Sequence, residues 1–184
     1  MSCEVSSGRD LGCKANVGGL QNVYFAASGD ITAVAYDATT GEIESFTASA
    51  SSIFKYELKG SNTFTETITS SDEAGTTFSE QALTITLQTL DSATLKEIKL
   101  LAYDRPKVFV EDRNGNLFFL GIQNGMSLTT GTISSGDAFG DASAYTLEFA
   151  GMEKVGAIHV EDGILNTSFT GALSTVAITP STTN

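Results

Sequence analysis

The sequence predicts a mainly β fold, a sandwich or barrel of antiparallel strands with one flanking α-helix at about 91–104. Three observations carry that expectation. Short segments of alternating apolar and polar residues recur between turn residues, the pattern of half-buried strands. Eighteen glycines against two prolines suit many tight turns, and threonine-rich stretches favour a pleated surface over a helix. Charged residues make up only 17%, against roughly a quarter in typical soluble domains, so Ser, Thr and Gly fill the polar positions. That balance excludes a charged coiled coil or an acidic disordered tail. A length of 184 residues suits one domain, read here as residues 20–178, after an arm at 1–19 and before a polar tail at 179–184.

The arm has no apolar period and is read as irregular until it docks. Val23, Phe25 and Ala27 then alternate with polar or small neighbours, Ser28, Gly29 and Asp30 make a turn, and Ile31, Ala33 and Ala35 alternate again, which predicts a hairpin. A second turn follows at 37–41. Ile43, Phe54, Tyr56 and Leu58 mark further strand, interrupted at 49–52. Residues 60–88 hold two Thr-rich strands, 63–69 and 77–88, joined by the polar tip Ser70, Ser71, Asp72, Glu73, Ala74 and Gly75 as a long hairpin or protruding loop. On the second strand Leu83, Ile85 and Leu87 share one face, while Ala82, Thr84, Thr86 and Gln88 share the other. One face therefore meets a core and the other meets water.

One helix interrupts the β pattern. Asp91 is placed to cap it, and Leu95, Ile98, Leu101 and Ala102 recur at three- and four-residue intervals between Lys96, Glu97 and Lys99. Pro106 ends it, because proline disfavours helical geometry in the residue before it. Val108, Phe109 and Val110 resume strand. Arg113, Asn114, Gly115 and Asn116 form the strongest turn signal, an Asn-Gly pair suited to the positive φ values of a two-residue hairpin, and 117–120 returns as strand. Further strands are predicted at 126–133, 145–150, 156–160, 164–169 and 176–179. No fixed-period repeat or Pro/Ser-rich linker divides the chain.

Twenty-two acidic residues against ten basic ones give a formal charge of −12, so tight nucleic-acid binding lacks the cations it needs. The densest apolar run, 117–122, is strand-sized, which predicts a soluble protein with no membrane helix. Residues 1–14 lack the apolar core of a secretory signal, so synthesis for the cytoplasm is expected. Cys3 and Cys13 match no zinc or thioredoxin spacing and are read as unpaired structural cysteines, with a disulfide as the alternative. The single histidine, His159, sits in an alternating apolar stretch and reads as a strand residue with a hydrogen-bonded ring. No nucleophile elbow, zincin helix or phosphate-binding loop occurs. The acidic pairs Asp72 and Glu73, Glu111 and Asp112, and Glu161 and Asp162 lie at predicted turns, where carboxylates are usually solvated. Residues 136–141 lack the alternating ligands and closing Glu of a calcium loop. The expectation is a non-enzyme with no catalytic residue, metal or cofactor.

The order of elements, with its long polar hairpin, amphipathic helix, Asn-Gly hairpin and Gly-punctuated strand pair, resembles the tail tube proteins of tailed bacteriophages. The resemblance spans 20–153 and is densest over 107–153. There Val-Phe-Val-Glu-Asp-Arg-Asn-Gly-Asn-Leu-Phe-Phe-Leu-Gly-Ile-Gln-Asn-Gly-Met leads to Gly-Asp-Ala-Phe-Gly and then Tyr-Thr-Leu-Glu-Phe-Ala-Gly. It implies homo-hexameric, stacked rings whose subunits pool strands into a shared inner β-barrel, with the helix outside. Self-association is then the main interaction, other tail or neck proteins are partners, and double-stranded DNA passes without tight binding. The place of such a protein is the virion tail, assembled in the host bacterial cytoplasm. On this reading Ser70, Ser71, Asp72, Glu73, Ala74 and Gly75, with the arm, are candidate inter-ring contacts, and Thr84, Thr86 and Gln88 are candidate channel-facing residues. Six copies would carry 6 × −12 = −72 formal charges, which would repel phosphates. The alternatives are a neck or tail-terminator ring, and a capsid decoration or glycan-binding β-sandwich module. Against a sugar site stands the absence of Trp, with the five tyrosines read as packing residues.

Overall fold

The computed structural model describes residues 8–9, 14, 16–48, 53–161, 169–171 and 179–180. Cys3, Cys13 and most of the arm lie outside them, as do the predicted strand residues 164–168 and 176–178. Among the described residues the fold is mainly β with one helix, arranged as two sheets compatible with a β-sandwich. The elements are β1 (Leu20–Ala26), β2 (Ile31–Tyr36), β3 (Ile43–Ala48), β4 (Phe54–Glu57), β5 (Thr63–Ser71), β6 (Thr76–Gln88), α1 (Ser92–Tyr103), β7 (Lys107–Asp112), β8 (Leu117–Leu120), β9 (Ser127–Ser134), β10 (Ala144–Glu153), β11 (Ile158–Val160), β12 (Phe169–Gly171) and β13 (Thr179–Pro180). The first sheet runs β12-β3-β11-β8-β7-β1-β4-β13, with β2 paired to β3. The second runs β5-β6-β10-β9.

Two hydrophobic clusters share the first sheet as a wall. Val23 and Phe25 of β1, with Val108 and Val110 of β7, join one cluster; Tyr24, Ala26 and Phe109 join the other. In the latter, Phe109 and Phe119 stack with ring centroids 4.4 Å apart, and Phe46 meets both edge-on at 5.2 and 5.4 Å. Strands β3 and β7 have β11 and β8 between them, about 14 Å in a flat sheet. The sheet must therefore curl to bring Phe46 onto Phe109. The other cluster fills the space between the sheets with Leu83, Ile85, Leu147 and Phe149, and Leu95, Ile98 and Leu101 of α1 pack against it.

Helix α1 begins and ends as its residues predict. The Asp91 carboxylate accepts from the Thr94 N–H at 2.7 Å and from its hydroxyl at 2.6 Å, and the Asp104 N–H closes the last turn on the Leu100 carbonyl at 3.2 Å. No helix residue is fully buried, and Ala102, expected on the packed stripe, is exposed.

Three expectations are corrected. The pair β1 and β2 is not a hairpin: β1 pairs with β4 and β7, and β2 pairs with β3. Alternation at Val23 and Phe25 concealed that Tyr24 and Ala26 are buried as well, so β1 is a central strand with both edges taken. The turn at 37–41 instead joins β2 to β3, its Asp37 carboxylate accepting from the Thr39 and Thr40 N–H groups at 2.6 and 2.8 Å. Second, the β7–β8 loop is not the two-residue form. The Gly115 N–H reaches the Asp112 carbonyl at 3.3 Å, Asp112 and Asn116 pair at 3.0 Å, and only Gly115 has a positive φ, at 88°. A three-residue loop ending in a left-handed glycine meets the same twist requirement. Asp112 selects it by accepting from the backbone N–H of both Asn114 and Asn116 at 2.8 Å and from their amides at 3.1 and 2.7 Å. Third, the polar tail is not free at its start, because Thr179 and Pro180 pair parallel with β4; residues 181–184 lie outside the described set.

Two glycines of the β8–β9 loop are fixed by crowding. Gly121 and Gly125 have φ values of 65° and 75°, and a Cβ at either would run into backbone, at Gly125 into the Arg105 carbonyl. Gly125→Ala is expected to cost about 2 kcal/mol or more, read by urea unfolding, whereas Gly140→Ala, with nothing within 4 Å, should change little. Acid should also loosen the β7–β8 loop. Partial burial alone would raise the Asp112 pKa, but the bonds from Asn116 and Asn114 outweigh it and hold it below the usual carboxylate value. The stabilisation is present above that usual value, near about 4, and is lost as pH falls through the lower folded value. Asp112→Ala should flatten the wild-type loss of stability below about pH 4, measured by unfolding at a series of pH values.

Candidate assembly face

The second sheet is a four-stranded, fully antiparallel meander in space, β5 and β9 forming its edges. Its inner face supplies Leu83, Ile85, Leu147 and Phe149 to the core. The register sets what the outer face carries. One row across the strands reads Thr63, Thr84, Glu148, Thr130, and the next reads Thr86, Thr146, Thr132. Thr84, Thr86 and Thr146 are half-buried by their neighbours, while Gln88, Glu148, Thr130, Thr132 and the β5 threonines 63, 65 and 67 are exposed. The sequence-derived set Thr84, Thr86 and Gln88 thus lies together on this face. Thr130, Thr132 and Thr146 were missed, although Thr-Thr-Gly-Thr at 129–132 carried a comparable polar β signal.

Among the described residues neither edge pairs with a further strand, although β5 carries the inward-pointing Glu66 and β9 a bulge opposite Glu148 and Phe149. Strand β5 has nine residues and β9 eight; neither contains Lys, Arg or Pro, and β9 has no charged residue. Edge strands of that length normally carry charge, proline or a cover that prevents pairing with another chain. Because strand directions alternate across the four, β5 and β9 run antiparallel to each other.

The tip also takes shape. Ser70 and Ser71 belong to β5, paired with Thr77 and Thr76, and only Asp72, Glu73, Ala74 and Gly75 form the turn. The Ser70 and Thr77 hydroxyls meet at 3.0 Å, the Ala74 N–H donates to the Ser71 hydroxyl at 3.2 Å, and Gly75 takes a φ of 62°. Strand β10 ends at Glu153 opposite Ser79, so β5 and β6 run on past it as a two-stranded ribbon. Ile68 near its base is 71% exposed.

Charge is segregated. Residues 63–88 and 126–153, which make this sheet and its turns, hold Glu66, Asp72, Glu73, Glu80, Asp137, Asp141, Glu148 and Glu153 but no Lys or Arg. Several of these acids face inward and fix the sheet. Glu153, 1% exposed, accepts from the Gln123 and Asn124 N–H groups at 3.1 and 2.7 Å. Glu66 accepts from the Ala157 N–H at 2.8 Å, and the buried Gln81 accepts from the Gly121 N–H at 3.0 Å. Glu80 and Glu148 remain on the outer face. Arg105, exposed at the end of the face beside Asn124, and the exposed Lys154, which directly follows β10, border it.

Elsewhere the polar groups serve structure. Glu111 accepts from the Asn22 amide and the Tyr24 hydroxyl, both at 2.8 Å, and Asp112 holds its loop, so this acidic pair is not simply solvated as expected. His159 is exposed, with its ring 4.2 Å from that of Phe118. In the 136–141 loop the Asp141 carboxylate is turned onto the Ala138 and Asp137 N–H groups, which hold its pKa low. Among the described residues no group of three or more His, Cys, Asp or Glu converges on a common point. No family model, curated protein or solved structure matches the chain.

A face with carboxylates and no cations should not retain phosphates. Wild-type protein is expected to give no retention of duplex DNA in a filter assay at low salt. Converting Thr84, Thr86 and Gln88 to Lys should produce binding that decays steeply as salt rises.

Proposed function

We propose that this protein is a virion structural subunit of a phage tail tube, not an enzyme, and that it forms stacked hexameric rings around a channel. The observation that carries the reading is the second sheet: four alternating strands with a Thr-rich outer face and two long edges that pair with no further strand among the described residues. Because β9 and β5 are antiparallel, β9 of one copy beside β5 of the next continues the same up-and-down alternation without a break. Rotation about an axis near the strand direction then closes the ring and leaves no edge. Six copies give 6 × 4 = 24 strands, a cylinder on the order of 37 Å across at the backbone with neighbours about 4.8 Å apart.

The outer face of the sheet becomes the channel wall, with Thr84, Thr86, Gln88, Thr130, Thr132 and Thr146 along it. Lacking lysine and arginine on its strands, that wall lets double-stranded DNA slide rather than stick. Helix α1 and the curled first sheet stand outside. The β5–β6 ribbon, with Ser70, Ser71, Asp72, Glu73, Ala74 and Gly75, reaches toward the neighbouring ring. Other tail or neck proteins meet the ends of the tube, in a virion tail assembled in the host bacterial cytoplasm.

Negative-stain electron microscopy with light-scattering mass, over a concentration series, tests this reading. Hollow rings or rods are the expected result; a monomer at every concentration and salt level overturns it. Thr130→Lys with Thr132→Lys should abolish rings while leaving the circular dichroism unchanged, because charge on β9 blocks edge pairing. Deleting residues 72–75 should leave rings but stop stacking.

A further inference from the structure

The two ends of the second sheet carry complementary features. At one end, beyond the Ala144 and Gln88 pair, the β9–β10 loop presents Phe139 completely to solvent. The loop is not slack. The Asp141 carboxylate accepts from the Asp137 and Ala138 N–H groups at 2.9 and 2.8 Å, and the Asp141 N–H returns to the Ala138 carbonyl at 3.0 Å. Gly136, at φ 75°, approaches so closely that a Cβ there would lie 2.8 Å from that of Asp141. An aromatic ring held out on a hydrogen-bonded frame loses little entropy on docking, the property of an interface anchor. The neighbouring Asp137 carboxylate has no side-chain partner among the described residues.

At the other end, where the β5–β6 ribbon leaves the body, the outer face holds a recess of about 550 Å³. Ala82, Ala150 and Met152 line it, Met152 being 63% exposed, with Glu80 and Arg105 also on its wall. The Arg105 guanidinium has no ionic or hydrogen-bonded partner among the described residues. The apolar part of this mixed lining, Ala82, Ala150 and Met152, with an unpaired cation at its wall matches an exposed ring with an unpaired carboxylate two residues away. Since the two features lie at opposite ends of one sheet, a single copy cannot satisfy both, and head-to-tail contact between copies can.

We propose that Phe139 of one copy seats in the Ala82, Ala150 and Met152 recess of a second copy of this chain, with Asp137 paired to Arg105. This contact joins copies along the strand direction. It rests on the tube reading only for its meaning as the ring-to-ring joint. It also assigns Arg105 an attractive part, without which the acidic ends would repel one another.

A cross-linking experiment tests it. In a Cys3→Ser, Cys13→Ser background, Gly140→Cys beside the ring with Thr67→Cys on the recess wall, which leave Phe139 and Met152 in place, should give a disulfide-linked ladder of multimers under mild oxidation, and each single variant should not. In the same background without added cysteines, Asp137→Arg and Arg105→Asp should each raise the concentration needed for longitudinal association about tenfold or more, and the two together should restore it. Rods without a ladder overturn this contact and leave the tube standing. A ladder without hollow rings keeps the contact and overturns the tube. Neither ladder nor association overturns both.

Discussion

The structure depends on one wall with two wet-free faces. Strands β1, β7 and β8 place Val23, Phe25, Val108, Val110 and Leu120 on one side and Tyr24, Ala26, Phe109 and Phe119 on the other, all buried. Removing a ring such as Phe109 or Phe149 would leave a cavity costing about 3–5 kcal/mol, and each cluster would lose the surface it leans on. Such a wall has little room for polar side chains. Asn22 and Tyr24 both donate to the Glu111 carboxylate. Burial, first, and then that hydrogen bond and the charges of Glu111 and Glu57 raise the Tyr24 pKa far above its ordinary value. The phenol therefore remains a proton donor at any physiological pH.

The second sheet is tied to that wall by polar as well as apolar contacts. Gln81, Glu66 and Glu153 all point inward and accept backbone N–H groups from segments outside the sheet. Asn62, just before β5, ties the sheet in the opposite sense, accepting from the Thr86 N–H of β6 at 2.7 Å and donating to the Lys59 carbonyl. These bonds satisfy loops that would otherwise bury unpaired backbone groups. Because these tasks fall to inward-facing side chains, the outer face has none of them, which is why the proposed function rests on that face.

Charge follows the same division. All ten cations lie outside residues 63–88 and 126–153, and the helix carries two of them, Lys96 and Lys99. A protein that merely needed solubility could mix signs on every surface. Excluding cations from one sheet leaves its charged residues of one sign, which the proposed channel wall would use.

Local rules determined much of this chain. Alternation set which side of β6 is wet, Asp91 and Pro106 bounded the helix, and the polar tip became the turn of a long hairpin, because each is decided by residues within a few positions. The threonines at 84 and 86 and Gln88 were legible as one face for the same reason. Tertiary structure decided the rest. Whether β1 pairs with β2 or with β4 and β7 depends on burial of both its faces, and alternation reports only one. That Thr130, Thr132 and Thr146 join the β6 threonines depends on long-range register, and the meeting of Phe46 with Phe109 depends on the curl of a sheet. The inward use of Glu66, Gln81 and Glu153 was hidden because a polar residue in a strand looks solvated until a distant loop supplies its partner. Sequence specifies faces; only packing specifies which faces meet.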